Sequence, residues 1–303
     1  MYCQLFFTNT NFIKIWFCTR SDYVNRISLK TKIAIAIFSV LIDLYCCFIF
    51  INMYNRIYWP ASPQIDLLPI LKNSKLSEQD YSIIFSQTGL SKLAIDDLLA
   101  QKDGKNLISS YQKSYFTKRK IYTEKLNPFT SQENIFINKE LDKNNGSIQL
   151  APLKNGDILF TKSTHTLYWR HGHCGLVVDA KNGIVLESIE PGTISKYQKI
   201  SKWQTYSTLK VLRLKNADQK ELDEIAKYAD KNLIGLKYGI LASKKQSNKL
   251  ISVNCSQIIY QAYKHFGYDI DSNQGLFITP EDIAKSNLLS IVQIYGFNPE
   301  KDW

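Results

Sequence analysis

Histidine and cysteine are scarce, at four and six among 303 residues, and their placement limits the available chemistry. Cys3 and Cys18 precede a long apolar run, Cys46 and Cys47 lie inside it, and Cys174 and Cys255 follow. Such spacing excludes a small disulfide-stapled scaffold. Apart from His171, His173 and Cys174, no second group of His, Cys or carboxylate stands at ligand spacing, so neither a metal nor an organic cofactor is implied. Internal repeats are missing. So are zinc-finger spacings, aromatic RNA-binding signatures and basic heptads, and no nucleic-acid partner is expected.

Acid is short where base is plentiful. The net charge is +11, and residues 101–250 hold 26 Lys and Arg against 14 Asp and Glu, whereas residues 251–303 hold three against six. A basic middle attracts anionic polymers, acidic lipid head groups or cell-wall polyanions.

Residues 33–54, IAIAIFSVLIDLYCCFIFINMY, are apolar apart from Ser39, Asp43 and Asn52. At 1.5 Å per residue this run is long enough to cross a hydrocarbon layer of about 30 Å. It reads as a single transmembrane helix following a cytoplasmic segment, residues 1–32. Five basic residues, from Lys14 to Lys32, face one acid, Asp22, ahead of it, which by the positive-inside tendency leaves the remainder exported. The expected location is the bacterial inner membrane. A cleaved signal peptide and a buried core helix are the competing readings.

Residues 55–150 read as a linker and helical segment. SEQDYSIIFSQTGLSKLAIDDLLAQ gives two short helices, the first capped by Ser77 with Asp80 and closed by Gly89. Residues 102–150 are Lys-rich with few periodic features. In residues 151–303 the texture changes: NGDILFTK, CGLVVDA, GIVLESI and LKVLRLK read as strands of a small antiparallel sheet, with a hairpin at Lys181-Asn182-Gly183. A helix over 217–231 follows, opening after Asn216. A second, CSQIIYQAYKHF, is capped by Asn254. The fold class is α+β, with the sheet packed on helices.

Cys255 falls in the first turn of that second helix. There the positive end of the backbone dipole favours a thiolate, and the free amide N–H groups suit an oxyanion. A nucleophilic cysteine also needs an imidazole. His173 heads the strand CGLVVDA, whose alternation sends His173, Gly175 and Val177 to one face and Cys174, Leu176 and Val178 to the other. This directs Cys174 away from the site and argues against a Cys174–Cys255 disulfide. His165 and His171 read as exposed loop residues.

The ordered blocks NGDILF, GHCGLVVDAKNGIVLES, GLKYGIL and VNCSQIIYQAYKHFGYDID resemble the NlpC-type papain-like cysteine hydrolases, in the circularly permuted, YiiX/YebB-like branch where the histidine precedes the cysteine. QTGLSKLAIDDLL and GLFITPEDIAKSNLLSIVQ extend the resemblance over about residues 77–296. It implies a permuted papain-like fold with Cys255 as nucleophile, His173 as general base and acid, and Glu187 as the residue orienting the imidazole. Tyr238 would border the site and assist an oxyanion hole made with the backbone N–H of Cys255. Asn254 and Gln257 replace the aromatic and the acid often found beside the nucleophile in that branch, so Asn254 is a candidate substrate contact. The implied activity is that of a peptidase or amidase on a peptide, amide or acyl substrate of the cell envelope, peptidoglycan peptides foremost.

Strand geometry leaves the acid open. With a turn on Asn182-Gly183 alone Glu187 lies opposite Val178; with Lys181 in the loop it lies opposite Val177, about 13 Å along the strand from His173 at 3.4 Å per residue. Glu190 is the rival. Two other functions stay open as well: a lipid acyltransferase or thioesterase of the same fold, compatible with the aromatics Tyr168, Trp169 and Trp203, and a non-catalytic envelope-binding protein.

Overall fold

The computed structural model describes residues 28–54, 57–135, 146–244, 250–301 and 303. The segment before residue 28, with Cys3 and Cys18, and most of the loop-like 142–147 lie outside the described residues. Two compact units result, Met1–Tyr54 and Asn55–Trp303. In the first, helix α1 (Leu29–Tyr54) carries an apolar stretch, Leu29–Ile51, long and apolar enough to cross a membrane. Its exposed side chains include Ile37, Phe38, Leu41, Leu44 and Phe50.

The second unit is a mixed α+β structure. It opens with α2 (Leu68–Leu71), α3 (Glu78–Thr88), α4 (Lys92–Leu99) and α5 (Gly104–Phe116), followed by β1 (Tyr122–Lys125) and β2 (Thr130–Asn134). Ser77 and Asp80 form a reciprocal capping box on α3, satisfying two amides that a helix start leaves bare. Then come β3 (Ile158–Thr161), β4 (Thr164–Thr166), β5 (His173–Asp179), β6 (Ile184–Glu187), β7 (Lys196–Lys199), α6 (Ile200–Trp203), β8 (Leu209–Leu214) and α7 (Gln219–Asn232). The last elements are β9 (Lys237–Tyr238), β10 (Ser252–Val253), α8 (Cys255–His265), α9 (Pro280–Ala284) and β11 (Leu289–Tyr295).

Six strands form the main sheet in the order β11-β8-β3-β5-β6-β7, every pair antiparallel. The four strand blocks read from the sequence are β3, β5, β6 and β8. Residues 102–150, expected to be largely featureless, contribute α5, β1 and β2. Their apolar positions Ile108, Tyr111 and Tyr115 are buried, but polar residues between them blur the helical period. Asp218, not Asn216, caps α7 by accepting from the Glu221 amide at 2.8 Å.

Each face of the sheet has its own core. On one side Leu159, Val177, Val185, Val211 and Val292 pack with Ile84, Ile95, Leu98 and Ile108 of the early helices. Ile158, Phe160, Cys174, Leu176 and Leu212 on the other side meet Ile225 and Ala229 of α7 and Ile258, Ile259 and Ala262 of α8. Full burial of each large aliphatic side chain stabilises by about 1.5–3 kcal/mol, so α8, with Ile258, Ile259 and Tyr263 all buried, is fixed against the sheet. The early helices also cover the edge strand β11: Ser91 N–H donates to the Val292 carbonyl at 3.0 Å and Ile294 N–H to the Gly89 carbonyl at 2.8 Å. Covering it removes an edge open to intermolecular pairing.

A buried ion network ties the layers together. Arg213 on β8 donates to both Asp157 oxygens at 2.7 and 2.8 Å and to Asp97 of α4 at 3.0 Å. Burial pushes the Asp157 carboxyl up, opposed by Arg213 and the Lys154 amide.

Candidate active site

The site lies where the first residue of β5, the last of β6 and the first of α8 converge. His173 begins β5 opposite Thr161. Its Nε2 meets Glu187 Oε2 at 3.0 Å, with both side chains buried. The Cys255 thiol lies close enough for it and the imidazole to act on each other's protonation. Since Nε2 is engaged by the carboxylate, Nδ1 is the nitrogen left for sulfur.

The β5–β6 register explains how Glu187 reaches the ring. Leu176 pairs with Leu186 and Val177 with Val185, but Asp179 pairs with Ile184, leaving Val178 as a bulge before a four-residue connection. Neither register expected from the sequence holds: continuing the pairs places Glu187 opposite Gly175, two residues from His173 on the same face. Diagonal neighbours of this kind are within reach of long side chains. Gly175 is required there, because a Cβ would come within 2.6 Å of Val185 Cγ1 and 2.8 Å of the Trp203 ring. Glu190 stands elsewhere, near enough to Tyr238 for its charge to act on the phenol.

Trp203, at the end of α6, stacks on the His173 ring with centroids 5.3 Å apart and planes 16° off parallel. It is fully buried, so of the three aromatics compatible with a lipid substrate Tyr168 and Trp169 are the exposed ones. Its indole N–H and Glu187 Oε1 have no hydrogen-bond partner among the described residues. Unpaired buried polar groups are rare away from functional regions.

On the other face, the Asn254 side chain caps α8 by accepting from the Gln257 amide at 2.9 Å. The cap holds Cys255 in the first turn, where the helix dipole favours negative charge. Cys174 is where alternation misled. Its side chain does lie on the face opposite His173, yet both its thiol and its backbone N–H favour charge on the Cys255 sulfur. Odd residues of β5 bond towards β3, as Val177 does with Gly156 and Asp157, so even residues turn their amides towards β6. Pairing with β6 ends at Leu176, and the Cys174 amide beyond that point is open to the sulfur.

These contacts polarise the pair. The Cys174 thiol donor holds the Cys255 thiol well below its ordinary range, against desolvation and helped by the His173 ring and the Cys174 amide. Burial opposes charge on His173, but the Cys255 and Glu187 hydrogen bonds and charges win and push it up to about 10. Burial and the neighbouring Cys255 push the Cys174 thiol well up, so it stays a donor. The two opposite shifts favour a thiolate–imidazolium pair, the state in which a cysteine is nucleophilic without a separate deprotonation step.

Tyr238 reaches the site because β9 runs parallel to β10, pairing Tyr238 with Val253 just ahead of Cys255. The approach is close: a Cβ on Gly239 would stand 2.4 Å from Ser252 Oγ. Burial, then the charge of Cys255, pushes the Tyr238 phenol up, leaving it a neutral hydrogen-bond donor. His165 and His171, expected to be exposed, are not. His165 sits on β4, 8% exposed, and His171 is half-buried with its ring bonded to Thr166 Oγ1 at 3.0 Å and the Gly172 carbonyl at 2.8 Å. Among the described residues, no group of three or more His, Cys, Asp or Glu is placed to hold a metal ion.

No family model matches the sequence, and no curated protein matches it. Among solved structures, this chain is similar to the metalloprotein YiiX from Escherichia coli O157:H7, described as DUF1105, at 16% identity. The match covers 46% of this chain and 97% of that one, with a TM-score of 0.38.

Proposed function

We propose that this chain is a cysteine hydrolase of the circularly permuted, NlpC-type papain-like kind, anchored in the bacterial inner membrane through residues 33–54 with its catalytic unit outside the cytoplasm. The observation that carries the reading is the convergence of Cys255, His173 and Glu187, with His173 Nε2 3.0 Å from the Glu187 carboxylate and the imidazole and the thiol acting on each other's protonation. It supplies a nucleophile, a proton carrier and an orienting acid in the relationship acyl transfer requires.

In this reading the Cys255 thiolate attacks the carbonyl carbon of an amide or ester. The tetrahedral oxyanion is met by the Cys255 backbone N–H and the Tyr238 hydroxyl. The imidazolium of His173 gives its proton to the leaving nitrogen or oxygen, and the thioester acyl-enzyme remains. Neutral imidazole then takes a proton from water, whose oxygen attacks the thioester; collapse expels the thiolate and releases the acid. Glu187 fixes the ring and stabilises its cationic form, without itself taking the proton.

The proposed substrate is a cell-envelope peptide or amide, peptidoglycan stem peptides first. A lipid acyltransferase or thioesterase activity is the second reading, favoured by exposed apolar side chains in the segments that carry His171 and Tyr238, Trp169 and Leu241 among them. Replacing Cys255 or His173 by Ala is expected to abolish hydrolysis and labelling by a thiol-directed acyl probe. Unchanged labelling of Cys255→Ala ends the assignment. Mass spectrometry after incubation with peptidoglycan or with phospholipid separates the substrate classes.

A further inference from the structure

Two exposed apolar loops run into residues on which the charge of Cys255 acts, His171 and Tyr238. The first is built by the small sheet β1-β2-β4. Phe129 precedes β2 and Leu167 follows β4, joined by the Leu167 N–H to the Phe129 carbonyl at 3.0 Å. Leu167 and Tyr168 take left-handed backbone, φ 47° and 66°, a conformation that side chains with a Cβ rarely adopt and that marks functional segments. Phe129, Leu167 and Trp169 are all more than half exposed, at 65%, 53% and 56%. Trp169 packs edge-on to His171 at 5.8 Å, and His171 is itself close enough to Cys255 to feel its charge.

The second loop follows Tyr238, the other neighbour of the thiol. Ile240 and Leu241 are 66% and 76% exposed, and Ile251, just before the strand that leads into Cys255, is 72% exposed. Exposed bases stand beside both groups: Lys125 closes β1 four residues before Phe129, and Lys237 immediately precedes Tyr238. Apolar and aromatic side chains interleaved with bases suit the headgroup layer of a bilayer, where the former bury and the latter meet lipid phosphate. Residues 55–303 hold 33 Lys and Arg against 25 Asp and Glu, a balance that suits an anionic surface, and a chain that carries its own membrane-spanning length is kept near one.

We propose that the rim of the Cys255 site docks on an anionic lipid bilayer, with Phe129, Leu167 and Trp169 on one side and Ile240, Leu241 and Ile251 on the other entering the headgroup layer. Docking does not depend on catalysis. Its consequence for substrate, that the scissile bond belongs to a molecule held at the membrane surface, rests on the cysteine hydrolase reading.

The test uses the full chain in nanodiscs of phosphatidylcholine alone or mixed with phosphatidylglycerol, each with acyl-brominated phosphatidylcholine as quencher. Wild type is expected to lose more tryptophan fluorescence than Trp169→Phe in the mixed bilayer, with the difference at least halved in phosphatidylcholine alone. Hydrogen exchange of amides 165–171 and 239–244 should slow in step. Cys255→Ala should behave as wild type, so that a failed hydrolase assignment leaves this result standing. Equal quenching of wild type and Trp169→Phe, or equal quenching in the two bilayers, overturns the proposal. So does protection of the same amides by soluble peptidoglycan fragments in phosphatidylcholine discs, which would give the rim to a polymer.

Discussion

Cys174 acts on the Cys255 thiol twice, through its own thiol and through its main-chain amide, although its side chain lies on the opposite face of the sheet from His173. The Cys255 sulfur is thus influenced at the end of β5 by two consecutive residues, His173 and Cys174. Replacing Cys174 by Ala removes one donor and keeps the other. A hydrogen bond to a charged group contributes about 1.5–3 kcal/mol, so alkylation of Cys255 at mildly acidic pH is expected to slow about tenfold or more, its acid limb moving to higher pH. Iodoacetamide rates across pH measure this.

The pH dependence of the wild type follows from the two opposite shifts. His173, raised to about 10, contributes stability that is complete below the ordinary imidazole range and lost as pH climbs through about 10. Cys255, lowered, contributes stability complete above the ordinary thiol range and lost as pH falls through its depressed value. In the proposed hydrolase, turnover should therefore hold a broad plateau through neutrality and decline above about pH 10, where the imidazolium is lost. Steady-state rates against pH check both limbs.

Glu187→Gln keeps the shape of the side chain and removes its charge. The folded protein should persist by circular dichroism, while turnover drops about 100-fold or more, in the range of general acid–base effects. Its alkaline limb should move to lower pH, because one of the two partners raising His173 is gone. A loss of activity with an unmoved limb would mean that the carboxylate only fills space.

Gly175→Ala tests the wall behind the imidazole. The added carbon meets Val185 and Trp203 at 2.6 and 2.8 Å, and overpacking of this kind costs about 1–3 kcal/mol. Chemical denaturation should show that loss, and the displaced Trp203 should lower activity beyond it.

Arg213→Met probes the network under the sheet. It leaves Asp157 buried without its main partner, and breaking a buried pair from one side costs about 3–5 kcal/mol. Denaturant midpoints measure the effect, and Asp157→Asn in the same chain should recover part of it.

The strands, the capped α8 and the histidine strand were legible because each is a local pattern: alternation, an Asn before a helix, apolar residues along one stripe. The partners around the thiol were less so. Glu187 was named through family resemblance, and the bulge at Val178 that brings it opposite Gly175 leaves no mark in a Lys-Asn-Gly turn. Side-chain alternation placed Cys174 correctly by face and wrongly by contact, because the main-chain amide follows a different parity and the sulfur stands past the end of a strand pair. Trp203 gave no local signal at all. Its stacking on His173 exists only once α6 has folded back over β5.

Chain order carries a last consequence. His173 and Glu187 come from one hairpin, while the sulfur arrives with α8, much later in the chain. A polypeptide still leaving the ribosome therefore holds the histidine and the carboxylate before it holds the sulfur. The three groups meet only after α8 has been made and has packed on the sheet.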